Sequence, residues 1–238
     1  PEKSIPMCTL KNFPNAIEHT LQWARDEFEG LFRQPVEQAF MYINDEKFLD
    51  RVAKMTGSQP VETLQQVLKV LDDRCDNFQQ CVRLARLQFE KQYNHQIKQL
   101  LHNFPPNYTT STGAPFWSGP KRCPHPLVFN VDNQVHFDYV VATANLYAYV
   151  YNIPQVHDRA TILSALNAVG TVPEFVAKSM KIAVNDSELQ SSTVDAFDTN
   201  EEFKHLQTRL PPLDKLKGVR VRPVEFEKDD DTNFHIDF

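Results

Sequence analysis

Residues 76–101 read DNFQQCVRLARLQFEKQYNHQIKQLL, and their spacing predicts one long helix. Phe78, Val82, Ala85, Phe89, Tyr93, Ile97 and Leu100 or Leu101 recur every three or four positions, the period that gathers side chains on one face of an α-helix. Pro105-Pro106 ends the pattern, because proline supplies no backbone N–H to carry a helix onward.

The same period runs through the residues before this stretch. Pro60 suits a first helical position, and Val61, Leu64, Leu68 and Leu71 follow it as an apolar stripe. From Asp45 to Met55 the anchors are Phe48, Leu49, Val52 and Met55, with Gly57 placed as the stop. Earlier still, Ile17, Leu21, Ala24, Phe28 and Leu31 predict a buried helix face. Asn15 and Glu18 form a capping-box pair at its start, and Pro14 precedes them.

On the C-terminal side, residues 102–126 hold six prolines, Pro105, Pro106, Pro115, Pro120, Pro124 and Pro126, and cannot be regular structure. They also hold Phe104, Tyr108, Phe116 and Trp117, which predicts an ordered, packed-down connection. Helices are expected at about His136–Tyr151, on Phe137, Val140, Val141, Ala144 and Ala148, and at about Asp158–Val169. Asn185 to Asn200 is rich in Ser, Thr and Asp and predicts a mobile acidic loop. Thr199 and Glu202 predict a second capping box, for a short helix ending at Pro211. Val219, Val221, Val224 and Phe226 alternate like a strand that Pro223 confines to an edge. The expected fold class is mainly α, in two helical lobes at about 1–104 and 127–210 joined by the proline-rich connection, with minor short β strands.

Composition narrows the function. The 238 residues correspond to one or two domains, and 41% hydrophobic content is enough for a core. Lys and Arg number 25 against 31 Asp and Glu, a net charge of −6. That weighs against a nucleic-acid or anionic-membrane partner, since both need a basic field. No apolar run approaches the roughly 18 residues that span a bilayer, and no signal-peptide pattern opens the chain. Only 6 glycines occur, none clustered. A Rossmann fingerprint or Walker A loop needs several together to admit phosphate, so no cofactor site is expected in this stretch. The chain starts at Pro1 and stops at Phe238, inside the alternating run Phe234-His235-Ile236-Asp237-Phe238, and reads as a piece of something longer.

The cysteines are Cys8, Cys75, Cys81 and Cys123. No CxxC pair exists, and Cys123-Pro124-His125 with His95 and His102 fits no zinc spacing, so no metal site is expected. Cys75 and Cys81 read as packing residues. Arg83, Arg86, Lys91 and Lys98 read as a solvated helix face. Cys8 has two open readings. It sits between prolines in a short stretch expected to be non-helical, a few residues before a helix start and three before Lys11. Both a cation and the positive end of a helix favour thiolate over thiol. Equally, a cysteine near a chain end can be a small apolar residue and nothing more.

Pro6-Met7-Cys8-Thr9-Leu10, Asn12-Phe13-Pro14, Glu18-His19 and Trp23-Ala24-Arg25 together resemble the active-cysteine signature of the ubiquitin-activating enzymes, the E1 family. Leu100 to Pro106, Pro115 to Arg122, and Phe226 to Asp231 resemble the same family in the same order. The matched part is the second catalytic cysteine half-domain, over about 1–225. Residues 226–238 correspond to the segment leading back to the adenylation domain, with Asp229, Asp230 and Asp231 either part of that return or a solvated acidic turn.

The resemblance implies that Cys8 attacks a ubiquitin acyl-adenylate, forms a thioester and passes ubiquitin to the cysteine of an E2 conjugating enzyme. It implies ATP and magnesium in the full-length enzyme but none bound by this fragment. The implied partners are ubiquitin, E2 enzymes and the adenylation domains of the same chain, in cytoplasm and nucleus. Thr9 and Asn12 are candidate donors to the oxyanion, Lys11 a candidate thiolate stabiliser, and Asp231 a possible supporting residue. Two other readings stand beside this one: a helical interaction module with an incidental cysteine, and the same domain from an E1 serving another ubiquitin-like protein. A thiol poised for attack is expected to alkylate well ahead of Cys75, Cys81 and Cys123.

Overall fold

The computed structural model describes the backbone of residues 5–190 and 196–238, and side chains of 5–188 and 199–238. The first helices are α1 (Met7–Asn12), α2 (Ile17–Phe28), α3 (Gln34–Asn44), α4 (Phe48–Val52) and α5 (Gln59–Asp72). Then come α6 (Phe78–Glu90), α7 (Gln96–Asn103), α8 (Gln134–Val150) and α9 (Arg159–Asn167), followed by α10 (Asp186–Gln190) and α11 (Ala196–Arg209). A mainly α fold is therefore present.

The long apolar period of 76–101 forms one helical column with a fault in it. α6 and α7 are joined without a break by a π-helical turn, Lys91–His95. A π turn holds one extra residue, so the apolar face shifts partway along. That shift lets Phe89 and Tyr93 both meet Tyr139 of α8, at 5.6 and 5.5 Å between ring centroids. A second π turn, Glu29–Arg33, joins α2 to α3. The spacing of apolar residues does not predict α3, whose Pro35 stands in its first turn, where the missing N–H costs nothing.

The two expected lobes share an interior. Its largest apolar cluster takes Phe28, Phe32 and Val36 from α2 to α3 and Val82, Ala85 and Phe89 from α6. It also takes Phe137 to Val150 from α8 and Ile162 and Leu166 from α9. Helices of 1–104 and 127–210 thus share one core, with α8 enclosed on nearly every face as a helix apolar all round must be. A second cluster joins Tyr42, Phe48, Leu64 and Val67 to Phe203, Leu206 and Leu210 of α11. The proline-rich connection is packed as expected. Phe104 stacks on Phe116 at 4.4 Å, and Trp117 Nε1 donates to the carbonyls of Phe104 and Pro105 at 3.0 and 3.2 Å.

Several local expectations are corrected. No strand occurs among the described residues, only an isolated bridge between Thr109 and Pro115. Val219–Phe226 has no strand partner. Instead Arg222 N–H donates to the Val150 carbonyl at 2.8 Å and Val224 N–H to the Phe32 carbonyl at 2.9 Å. The segment serves one carbonyl at the end of α8 and one inside the π turn between α2 and α3. Asn15 and Glu18 form no capping box, since Ala16 is the cap and Asn15 N–H donates to His19 Nδ1 at 3.1 Å. Ile17 and Leu21 point outward, 68% and 64% exposed, and only the Phe28 end of α2 enters the core. The mobile loop of 185–200 is largely helical, as α10 and the start of α11, with 191–195 outside the described residues. Thr199 lies within α11 and opens no helix.

Residues 226–238 are packed down. Phe238 meets Phe32 at 5.2 Å, Phe226 meets Phe28 at 5.2 Å, and the Arg25 guanidinium lies 4.1 Å over the Phe226 ring. Among the described residues no helix is long and apolar enough to cross a membrane.

Candidate active site

Cys8 lies in a helix, contrary to the short non-helical stretch expected for it. In α1 it is the second residue after Pro6, whose ring cannot cap the helix with a side chain. Thr9 N–H and Leu10 N–H both donate to the Pro6 carbonyl, at 3.0 and 3.2 Å. That leaves the N–H groups of Met7 and Cys8 open at the helix start.

Asp186 fills both. Cys8 N–H donates to Asp186 Oδ1 at 3.0 Å and Met7 N–H to Asp186 Oδ2 at 3.2 Å, across 178 and 179 residues of chain. Asp186 can reach them because α10 is fixed by its own cap. Glu188 N–H donates to Asn185 Oδ1 at 3.0 Å, and Val184 N–H donates to Glu188 Oε2 at 3.0 Å. With its own helix capped by Asn185, the Asp186 carboxylate is free to serve α1.

The chain reaches α10 as an extended strap that starts near Gly170 and crosses α7. Lys178 N–H donates to Gln99 Oε1 at 2.9 Å, and Gln99 Nε2 returns a bond to the Lys178 carbonyl at 3.0 Å. Asn103 Nδ2 donates to the Met180 carbonyl at 2.7 Å. Ile182 and Val184 then press on the cluster of Phe13, Leu100 and Phe116 beside α1. Each side-chain amide imitates a strand neighbour, pairing backbone groups that would otherwise face only water.

Under this strap Cys8 is 3% exposed, yet it belongs to none of the apolar clusters. Burial first, and then the Asp186 carboxylate beside it, push the thiol above its ordinary range. Glu188 adds to the rise and Lys11 alone opposes it. Lys11 favours the thiolate as expected, but burial and the two carboxylates outweigh it in this arrangement. The charge nearest the sulfur is negative and comes from a distant part of the chain. The same bonds hold the Asp186 carboxyl below the usual carboxylate range, the Cys8 N–H contributing most.

Thr9, Lys11 and Asn12 share α1 with Cys8, and Lys11 and Asn12, three and four residues on, lie toward its face of the helix. Asp231 sits in an exposed turn of the C-terminal segment, and no described contact links it to Cys8. Cys75 and Cys81 are buried core residues, and the neighbouring thiol and burial drive Cys81 upward. Cys123 is exposed. Arg86 is not simply a solvated charge, since it bonds Glu90 at 2.7 Å and lies 4.3 Å over Phe129. Asp186 escaped the sequence reading, although Asn185 and Glu188 carry a capping-box spacing that marks a helix start there.

Residues 14–238 match the family model described as ubiquitin-activating enzyme, SCCH domain. Cys8 precedes that span, but full-length relatives cover it. "Ubiquitin-like modifier-activating enzyme 1" of Homo sapiens is 55% identical over 240 residues, covering 100% of this chain and 22% of its own length. "Ubiquitin-activating enzyme E1 1" of Schizosaccharomyces pombe is 49% identical, and "Ubiquitin-activating enzyme E1 2" of Arabidopsis thaliana 36%, each over 100% of this chain and 23% of the relative. The chain therefore spans less than a quarter of the length of these relatives, and it belongs to the SCCH-domain family of ubiquitin-activating enzymes.

Proposed function

We propose that this chain is the catalytic-cysteine half-domain of a ubiquitin-activating enzyme and that Cys8 is its acyl acceptor. The observation that carries the reading is the placement of Cys8. It is the one cysteine at the start of an edge helix, outside every apolar cluster and covered by a strap instead of core. Cys75 and Cys81 are locked in the main core. Similarity to E1 enzymes over the whole chain supports the chemistry.

In that chemistry the Cys8 sulfur attacks the carbonyl carbon of a ubiquitin C-terminal acyl-adenylate. The C–S bond forms, the C–O bond to phosphate breaks, AMP leaves with the electron pair, and the thiol proton goes to solvent. An E2 thiol then attacks the thioester and Cys8 regains a proton. AMP is a good leaving group and a thiol ionises readily, so no dedicated base is required. Thr9 and Asn12 are the candidate donors to the developing oxyanion, and Lys11 is the candidate to balance the thiolate. The scarcity of glycine leaves no phosphate cradle in this stretch, which assigns ATP and magnesium to other parts of the enzyme. Ubiquitin and E2 enzymes are the partners on this reading.

The test uses the whole enzyme with ubiquitin, ATP and magnesium. Cys8→Ala keeps ATP–pyrophosphate exchange and loses every DTT-sensitive ubiquitin adduct. Cys8→Ser keeps exchange and forms, slowly, an adduct that resists DTT, because a hydroxyl is the poorer nucleophile. A DTT-sensitive adduct surviving in Cys8→Ala assigns the acceptor role to another cysteine. Substituting a different ubiquitin-like protein for ubiquitin in the same assay reads out which one the enzyme accepts.

A further inference from the structure

We propose that Lys91 is an acylation site, an amine set in a cleft between helices that takes a small acyl group from a thioester donor. Neither Cys8 nor its helix lines this cleft, so the site is separate from the one described above.

The cleft has a volume of about 420 Å³ and lies between α2, α3, α5 and α6, with Tyr147 and Tyr151 at the end of α8 in its lining. Lys91, expected on a solvated helix face, opens the π turn between α6 and α7 and borders the cleft. Four carboxylates share the lining, and each is committed to another group. Asp26 Oδ1 accepts Gln22 Nε2 at 2.8 Å, Glu27 Oε2 accepts Gln92 Nε2 at 2.5 Å, and Glu62 Oε1 accepts Ser58 Oγ at 2.6 Å. Asp73 is bonded to Lys69, the second lysine of the cleft. Among the described residues Lys91, unlike Lys69, makes no ion pair or side-chain hydrogen bond.

That isolation sets its chemistry. Protein crowded around the amine removes water that would solvate an ammonium, and the Lys69 charge repels one. Glu27 and Asp73 pull the other way without overcoming them, so the amine is held below the usual lysine range. Asp26 and Glu62 are the other charged groups of the cleft, and burial pushes the Tyr147 and Tyr151 phenols upward, which keeps both neutral. Lys91 is still exposed along one side, so a donor can reach it.

A desolvated lysine amine is a competent nucleophile. Its Nζ lone pair attacks the thioester carbonyl carbon and the C–N bond forms. The C–S bond breaks, the thiolate leaves with its electron pair, and the proton lost from nitrogen passes through solvent to the thiolate. The product amide is uncharged, so the cleft no longer holds a poorly solvated cation.

The probe is acetyl-CoA, incubated at pH 7 with the whole enzyme in the absence of ATP and ubiquitin. Acetylation is read at each lysine-bearing peptide by mass spectrometry, with exposed Lys54 and Lys228 as references. Lys91 is acetylated several-fold faster than either reference, and Lys69, held by Asp73, lags behind it. Lys69→Met takes away the neighbouring ammonium and frees Asp73, and it slows Lys91. Glu27→Gln keeps a carbonyl acceptor for Gln92 but removes a charge, and it speeds Lys91. A Lys91 rate no higher than those of Lys54 and Lys228 overturns the proposal, and that comparison needs no variant. A lead that neither variant alters also overturns it, because exposure alone would then explain the reactivity.

Discussion

Asn145 shows at the scale of one residue how a polar side chain can be required in an apolar interior. It is fully enclosed in α8. Its Nδ2 donates to the carbonyls of Val141 and Val156, and its Oδ1 accepts the Val156 N–H, each at 2.9 Å. Its own carbonyl accepts Gln155 Nε2 at 3.0 Å. These bonds hold the chain as it doubles back after α8 through Asn152, which takes a left-handed φ of 58°. Replacing Asn145 with alanine leaves the half-buried Val156 N–H without its acceptor, which costs about 1–3 kcal/mol. Urea denaturation is expected to show a lower midpoint with an unchanged slope. An unmoved midpoint would mean that water replaces the lost bonds. Asp186 follows the same rule in a wetter setting: its value comes from the N–H groups it satisfies, not from its sequence neighbours.

At the scale of elements, helix continuity is modified where the packing partner changes. The π turns at Glu29–Arg33 and Lys91–His95 rotate the apolar faces of two helical columns, so each column contacts different neighbours along its length. The strap is the opposite kind of element, with no internal hydrogen-bond ladder and its backbone borrowed from side chains of α7. Gln99→Leu together with Asn103→Leu removes the pairing of Lys178 and Met180. At about 1 kcal/mol per bond, the change is worth roughly tenfold or more in opening. Amide exchange at Lys178 is expected to accelerate by that order while amides of α6 and α8 keep their protection. Unchanged exchange at Lys178 would show that Ile182 and Val184, packed beside Phe13, carry the strap without help.

For the whole molecule the decisive fact is that one core is assembled from distant stretches of chain. α6 lies against α8, and α11 lies against α5. A polypeptide ending near residue 110 would leave Val82, Ala85 and Phe89 without α8 to cover them. One beginning near residue 127 would leave α8 bare on most of its surface. Expressed separately, the two pieces are expected to show little cooperative thermal unfolding by circular dichroism, and mixing them is expected to restore it. Two pieces that each melt cooperatively would show that each stretch folds without the other.

The helices of the long column, of α5 and of α8, and the packed connection through Phe104, Phe116 and Trp117, were legible in the residues. Each depends on apolar spacing or aromatic content within a short window, and local sterics act over that range. Cys8, the proposed acyl acceptor, was singled out by its motif. What the sequence could not disclose is what meets what. Ile17 and Leu21 share a periodic face with Phe28, yet the cover stops short of them, and periodicity says nothing of where a partner ends. Val219 to Phe226 alternates like a strand, but a strand needs a neighbour, and the carbonyls it meets belong to helical segments. Lys11 was the charge visible beside Cys8 along the chain. The charge that governs its thiol comes instead from Asp186, 178 residues away, because electrostatic and hydrogen-bond energies depend on distance in space, and only the folded chain sets that distance.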